Sequence, residues 1–177
     1  MILAALQREF TMKQRTIGFL PRSVLAIAAS VIVGLASAQS MPASIGQVLY
    51  LPIYSHMYHG DLDKQGKPTQ TLLSAHVSIR NTNTQEPLKI LYARYFDTDG
   101  RLVKEFVPSP LIIPPLGTHE LFVQRSDVSG GSGANFLISW SAGSSVNPPL
   151  VEALHADVQA ARTLIFVTTA RPISPIK

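Results

Sequence analysis

The sequence predicts an all-β fold, an antiparallel β-sandwich of immunoglobulin-like kind. Three observations carry that prediction. Short runs of β-branched and aromatic residues recur after Gln39, turn-forming Gly, Pro, Asn and Asp punctuate them at intervals of roughly ten residues, and helical periodicity is scarce.

Eight strands follow in order: Gln47–Tyr54, Leu72–Arg80, Lys89–Phe96, Arg101–Phe106, Thr118–Val123, Ala134–Ser141, Leu150–Asp157 and Leu164–Thr169. The third and fourth are joined by "DTDGRL", where Asp99-Gly100 suits the positive φ of a tight hairpin, so Tyr95 or its neighbours should face the Leu102–Phe106 strand. "RNTNTQEP" is a turn after the second strand, because short Asn and Thr side chains bond the local backbone. "PSPLIIPPLG" holds too much proline for a central strand and suits a passage between two sheets. In "NFLISW", alternation puts Phe136, Ile138 and Trp140 on one face, which makes Trp140 a core anchor rather than a carbohydrate platform. One segment supports two readings. "LVEALHADVQAARTLIF" places Val151, Leu154, Val158 and Ala161 at helical spacing behind two prolines, the pattern of a short C-terminal helix, while a hairpin turning at "QAAR" is the rival.

The first part of the chain reads as a targeting segment. Basic Lys13, Arg15 and Arg22 precede an apolar run from Val24 to Leu35, and Ala36 and Ala38 form the A-x-A pattern of signal peptidase, which puts cleavage before Gln39. Translation starts at Met1 or at Met12, which opens the more ordinary basic segment. The apolar run is short of the ~20 residues that span a bilayer, so no stable membrane anchor is expected. The organisation is then a leader over 1–38, a flexible N-terminus over 39–46, one sandwich domain over 47–171 and a tail over 172–177.

Charge and cysteine usage exclude several functions. The chain has 15 basic and 11 acidic residues, and the leader holds four of the former and one of the latter, which leaves 11 against 10. That balance lacks the basic stripe needed to neutralise phosphates, so nucleic acid is not an expected partner, nor is an anionic membrane surface. The absence of cysteine excludes disulfides, thiolate metal sites, a cysteine nucleophile and a lipid-modified cysteine. A periplasmic or secreted protein is expected.

Two stretches concentrate chemistry. In "YSHMYHGD", Tyr54, His56, Tyr58, His59 and Asp61 form a candidate binding edge in which the strand ends near His56 and the rest curls into a loop. His56 and His59, with His76, His119 or Asp61 added, could ligate Zn²⁺ or Cu²⁺, since imidazole suits both; the competing reading is a structural corner with Tyr54, His56 and Tyr58 on one face. No cofactor is otherwise predicted. In "SDVSGGSGAN", Ser132 between glycines, followed by Glu152 and His155, hints at a hydrolase elbow. The motif fails at Ala134, and the segment after it reads as a strand where an elbow requires a helix. The better functional reading takes Ser129, Gly130, Gly131, Ser132, Gly133 and Asn135 as an exposed loop whose amides form a nest for an anion or a partner's carboxylate, against a wide hairpin loop that needs positive φ. Asp97 and Asp99 read as turn residues.

The stretches "YLPIYSHMYHGD", "SIRNT", "YFDTDGRLVKEF" and "SGGSGANFLISW" resemble successive signatures of a bacterial secreted family, domain of unknown function 3124, over Val48 to about Arg171. The resemblance implies a secreted, often lipid-anchored habit and no established activity; this chain lacks the lipid-acceptor cysteine. It also implies strands where Leu150–Thr169 lies, which favours the hairpin over the short C-terminal helix and keeps the helix as the alternative. The expected function is a secreted or periplasmic binding or assembly module for an unknown protein or cell-envelope partner. The alternative is a periplasmic metal binder or metal-dependent hydrolase using His56 and His59.

Overall fold

The structure is a computed structural model that describes residues 42–175. The leader expected over 1–38, with its expected cleavage point, lies outside the described residues. Twelve strands follow: β1 (Ser44–Pro52), β2 (His56–Leu62), β3 (Pro68–Leu72), β4 (Ser74–Arg80), β5 (Leu88–Phe96), β6 (Leu102–Glu105), β7 (Leu111–Ile113), β8 (Thr118–Val123), β9 (Asn135–Val146), β10 (Leu150–Gln159), β11 (Arg162–Thr169) and β12 (Arg171–Pro175). No helix occurs among the described residues.

All pairings are antiparallel. One sheet has the order β12-β1-β9-β5-β6, with β7 laid beside β5 on the length that β6 leaves open. A second has the order β11-β10-β4-β8, and β2 pairs only with β3. Alternation puts every second residue of the large sheets into one shared core. Leu49 and Leu51 of β1, Ile90 and Tyr95 of β5, and Phe136, Ile138 and Trp140 of β9 meet Val77 and Ile79 of β4 and Val151 and Ala153 of β10 there. Full burial of such a side chain contributes about 1.5–3 kcal/mol, so the sheets are held chiefly by this layer. Trp140 is fully buried, as its alternating run predicts.

The Asp99-Gly100 hairpin forms with Tyr95 opposite Lys104 and with Gly100 at φ +78°. The hairpin reading of "QAAR" also holds: Gln159 pairs with Arg162 across Ala160 and Ala161. "PSPLIIPPLG" carries the chain from the first sheet to the second, and its Leu111–Ile113 segment adds the short strand β7 at the edge.

Three expectations are corrected. The strand through "YSHMYHGD" does not fade into a loop: β1 stops at Pro52, and His56 opens a new strand whose partner is Pro68–Leu72. Gly60, at φ +72°, bulges β2 instead of ending it, because the register shifts between His59 and Leu62. Arg171–Pro175, assigned largely to the tail, is a strand on the outer side of β1, which itself begins at Ser44 within the stretch expected to be flexible.

Candidate functional site

Three of the motifs converge at one end of the two sheets, where the β2–β3 ribbon leaves them. The β5–β6 turn, the glycine-rich loop before β9 and the crossing Ile53–Ser55 interlock. Ser55 N–H donates to the Gly131 carbonyl (3.1 Å) and Ile53 N–H to that of Ala134 (2.8 Å), while Thr98 N–H donates to Gly130 (2.9 Å). The Ser55 hydroxyl meets the Tyr95 hydroxyl at 3.1 Å, and burial raises the Tyr95 pKa above its ordinary value. Gly130 is what permits this approach, since a Cβ there would lie 2.0 Å from the Tyr95 Oη.

Three of the loop's amides are engaged within the protein. Ser129 N–H donates to Asp127 Oδ1 (3.0 Å), Gly131 N–H to the Val128 carbonyl (3.2 Å) and Gly133 N–H to Thr98 Oγ1 (3.0 Å). "SGGSGAN" therefore acts as a clasp between loops, with positive φ at Gly131, and these three donors are closed to an anion.

The ribbon places the other candidates. His56 pairs with Leu72, Met57 with Thr71, Tyr58 with Gln70 and His59 with Thr69. His56 and His59, three apart on a regular stretch of strand, therefore point to opposite faces of β2. His56 is 8 % exposed, its ring packs edge-on to Tyr58 at 4.8 Å, and neither ring nitrogen has a hydrogen-bond partner among the described residues. His59 Nε2 lies 2.9 Å from Thr71 Oγ1. Among the described residues no group of three or more His, Asp or Glu could hold a metal ion; His76 lies on β4 beside Glu120, and His119 on β8. Tyr54 does not share the His56–Tyr58 face. Its ring packs edge-on to His155 and Phe166, each at 5.8 Å. Asp61 is exposed on the bulged part of β2.

The hydrolase constellation does not assemble. Glu152 and His155 are three apart on β10, so Glu152 faces outward, bonded to Arg80 at 2.8 Å, and His155 faces the core. His155 Nε2 accepts the Tyr54 amide at 3.1 Å, its ring stacks on Phe166 at 4.6 Å, and burial lowers its pKa to about 4.

Sequence reasoning missed the ionic knot at the ribbon's base. Asp157, inward on β10 with its side chain fully buried, accepts from Gln159 Nε2 (2.9 Å to each oxygen) and Arg162 Nη2 (2.7 Å), and Arg125 Nε lies 3.1 Å away. These donors, Gln159 first, hold its pKa below the ordinary carboxylate value. Two guanidiniums around one carboxylate leave a surplus positive charge. Arg162 carries it to an open cleft of about 240 Å³ between ribbon and second sheet, lined by Met57, His59, Thr71, Arg162, Thr163 and Leu164. The signal was present as Asp157 and Arg162 flanking the "QAAR" turn, which only a settled hairpin makes neighbours.

The crystal structure of Thermotoga maritima 1070 is similar over 73 % of this chain and 97 % of that one, at 12 % identity and a TM-score of 0.40. The chain matches no curated protein. The family described as "Protein of unknown function (DUF3124)" matches residues 46–173, which takes in the ribbon and all of both sheets but the first two residues of β1 and the last two of β12, and the chain belongs to that family.

Proposed function

We propose that this chain is an exported, non-enzymatic binding module that works in the periplasm or outside the cell and grips a cell-envelope protein with its β2–β3 ribbon. The observation that carries the reading is the ribbon itself. It is bonded to neither large sheet, yet it exposes Tyr58 (54 %) and Leu62 (66 %), with Tyr54 (38 %) at its root. An isolated two-stranded ribbon is marginal in water, so a fold that braces one supports it for its exposed surface. Tyrosines supply contact area at low entropic cost, and the Arg162 cleft on the ribbon's Met57–His59 face offers a cation to a partner carboxylate. The dispersal of Ser132, Glu152 and His155 over a loop and two faces of a strand argues against acyl transfer. The separation of His56 from His59 argues against a metal centre built on that pair.

A photo-crosslinking side chain at Tyr58, with a control at Glu86 in the loop between β4 and β5, tests this in the native cell. A discrete adduct from Tyr58 in the envelope fraction, with none from Glu86, is expected. Equal labelling from both positions, or none from Tyr58, overturns the reading.

A further inference from the structure

The edges of the two large sheets are not alike. Natural edge strands are blunted by charge, proline, bulges or brevity. β12 carries Pro172 and Pro175, β6 is four residues long with Lys104 and Glu105, and β8 carries Glu120. β11 carries one charge, Arg162 at its start, and otherwise none of these devices. It ends the second sheet, runs for eight residues in unbroken register, and after Arg162 reads "TLIFVTT", without charge, glycine or proline. Its outer-face residues Ile165 and Val167 are each 53 % exposed.

The backbone phase of this edge is fixed. Ala170 N–H donates to the Val151 carbonyl at 2.9 Å, in the same register that pairs Glu152 with Thr169. Antiparallel ladders alternate, so Leu164, Phe166 and Thr168 bond toward β10, while Thr163, Ile165, Val167 and Thr169 direct N–H and C=O outward. The outward set is symmetric in residue type about Phe166: Thr163 mirrors Thr169, and β-branched Ile165 mirrors β-branched Val167.

We propose that β11 pairs antiparallel with β11 of a second copy of this chain, across a two-fold axis at Phe166, joining two four-stranded sheets into one of eight. In that register every outward residue meets an outward residue, Thr against Thr and Ile against Val, both good cross-strand pairs. Arg162 falls opposite Ala170 of the second copy, so no like charges are opposed. Moving the axis by one residue toward Arg162 leaves Thr169 facing the turn residue Ala161. A strand that is its own complement in side chain, charge and hydrogen-bond phase matches an isologous contact, in which one surface serves both subunits.

Sedimentation of the purified protein up to about 0.1 mM should give twice the mass of one chain. The chain has no cysteine, so introduced thiols report without background. A mixture of T163C and T169C proteins should form a disulfide between unlike variants under mild oxidation, since hydrogen-bonded pairs hold Cα atoms about 5.5 Å apart. T163C alone should not, because its two copies lie six residues apart along the ladder, about 20 Å. I165P removes an outward N–H and none from the β10 ladder, and should abolish the dimer with the circular dichroism unchanged. If I165P does not fold, the mixed disulfide decides. A wild-type monomer leaves the edge to a strand of another protein and overturns the proposal; so does a dimer that survives in folded I165P, or one without the unlike crosslink.

Discussion

A methyl group on Gly130 would sit 2.0 Å from the Tyr95 hydroxyl oxygen, 2.6 Å from its Cζ and 2.7 Å from the Ala134 methyl, with the core behind that ring. Tyr95 is fully buried and cannot swing out, so Gly130→Ala must force the loops apart and break the Ser55–Tyr95 contact. Overpacking and a lost buried hydrogen bond together set the expected cost at about 3 kcal/mol in urea unfolding, whereas Gly143→Ala, with no atom within 4 Å, should cost nothing measurable. A second residue sets acid stability. Burial lowers the His155 pKa from 6.5 to about 4, so between those values the unfolded chain binds a proton that the folded chain refuses. Stability is therefore full above pH 6.5 and falls as pH drops toward 4, by roughly 3 kcal/mol over the window. Asp157, whose pKa is lowered by Gln159 and the two arginines, extends the loss to more acid pH, because its partners favour the ionised carboxylate. His155→Gln keeps an acceptor for the Tyr54 amide and should flatten the dependence between pH 6.5 and 4 in urea titrations; an unchanged slope would assign the acid sensitivity elsewhere.

Elements differed in how far local chemistry announced them. β9 declares itself through Phe136, Ile138 and Trp140, each fully buried, and the β5–β6 hairpin through Asp97, whose Oδ1 accepts from Asp99 N–H and Arg101 N–H. β10 is ambiguous because apolar residues occupy both its faces: Val151 and Ala153 point into the core, Leu154 and Val158 point out, and the mixture imitates a helical period. The ribbon was overlooked for the opposite reason. Most of β2 is exposed, so it has no buried face to impose alternation. Its turn was nonetheless legible. "DKQGK" repeats the chemistry of "DTDGR": Asp63 Oδ1 accepts from Gln65 and Lys67 N–H, and Gly66 sits at φ +77° as Gly100 does at +78°. β7 and β12 are short and exist through partners distant in sequence, β5 and β1. The candidate site was legible as separate stretches and not as a unit, because its joints link residues far apart. Ser55 and Tyr95 are 40 positions apart, and His155 lies 101 beyond the Tyr54 amide it accepts.

For the whole molecule, the decisive question is whether the two sheets need the ribbon. Leu73 N–H donates to the Ser55 carbonyl at 2.9 Å, so the chain already closes on itself below His56 and Leu72. That closure suits a two-residue Asn-Gly turn, which would replace residues 56–72 without moving Ser55 or Leu73. Within the excised stretch only His56 and Thr71 are buried, and neither belongs to the shared core. The Asp157 knot keeps Arg125, Gln159 and Arg162, all outside the excision. Losing the small burial of the ribbon's base should therefore cost about 2 kcal/mol, against the 5–15 kcal/mol that domains of this kind possess. We expect the shortened protein to unfold cooperatively in urea and to keep the β11 dimer, since Thr163–Thr169 is untouched, while a photo-crosslinker at Tyr54 loses its envelope adduct. Loss of cooperative unfolding would make the ribbon a structural element and remove the main support for its role as a grip. An adduct that persists at full yield would place the partner on the sheets instead. Retained folding and dimerisation with a lost adduct would divide the molecule into a self-pairing scaffold and a dispensable arm that carries recognition, which is the division its topology already draws.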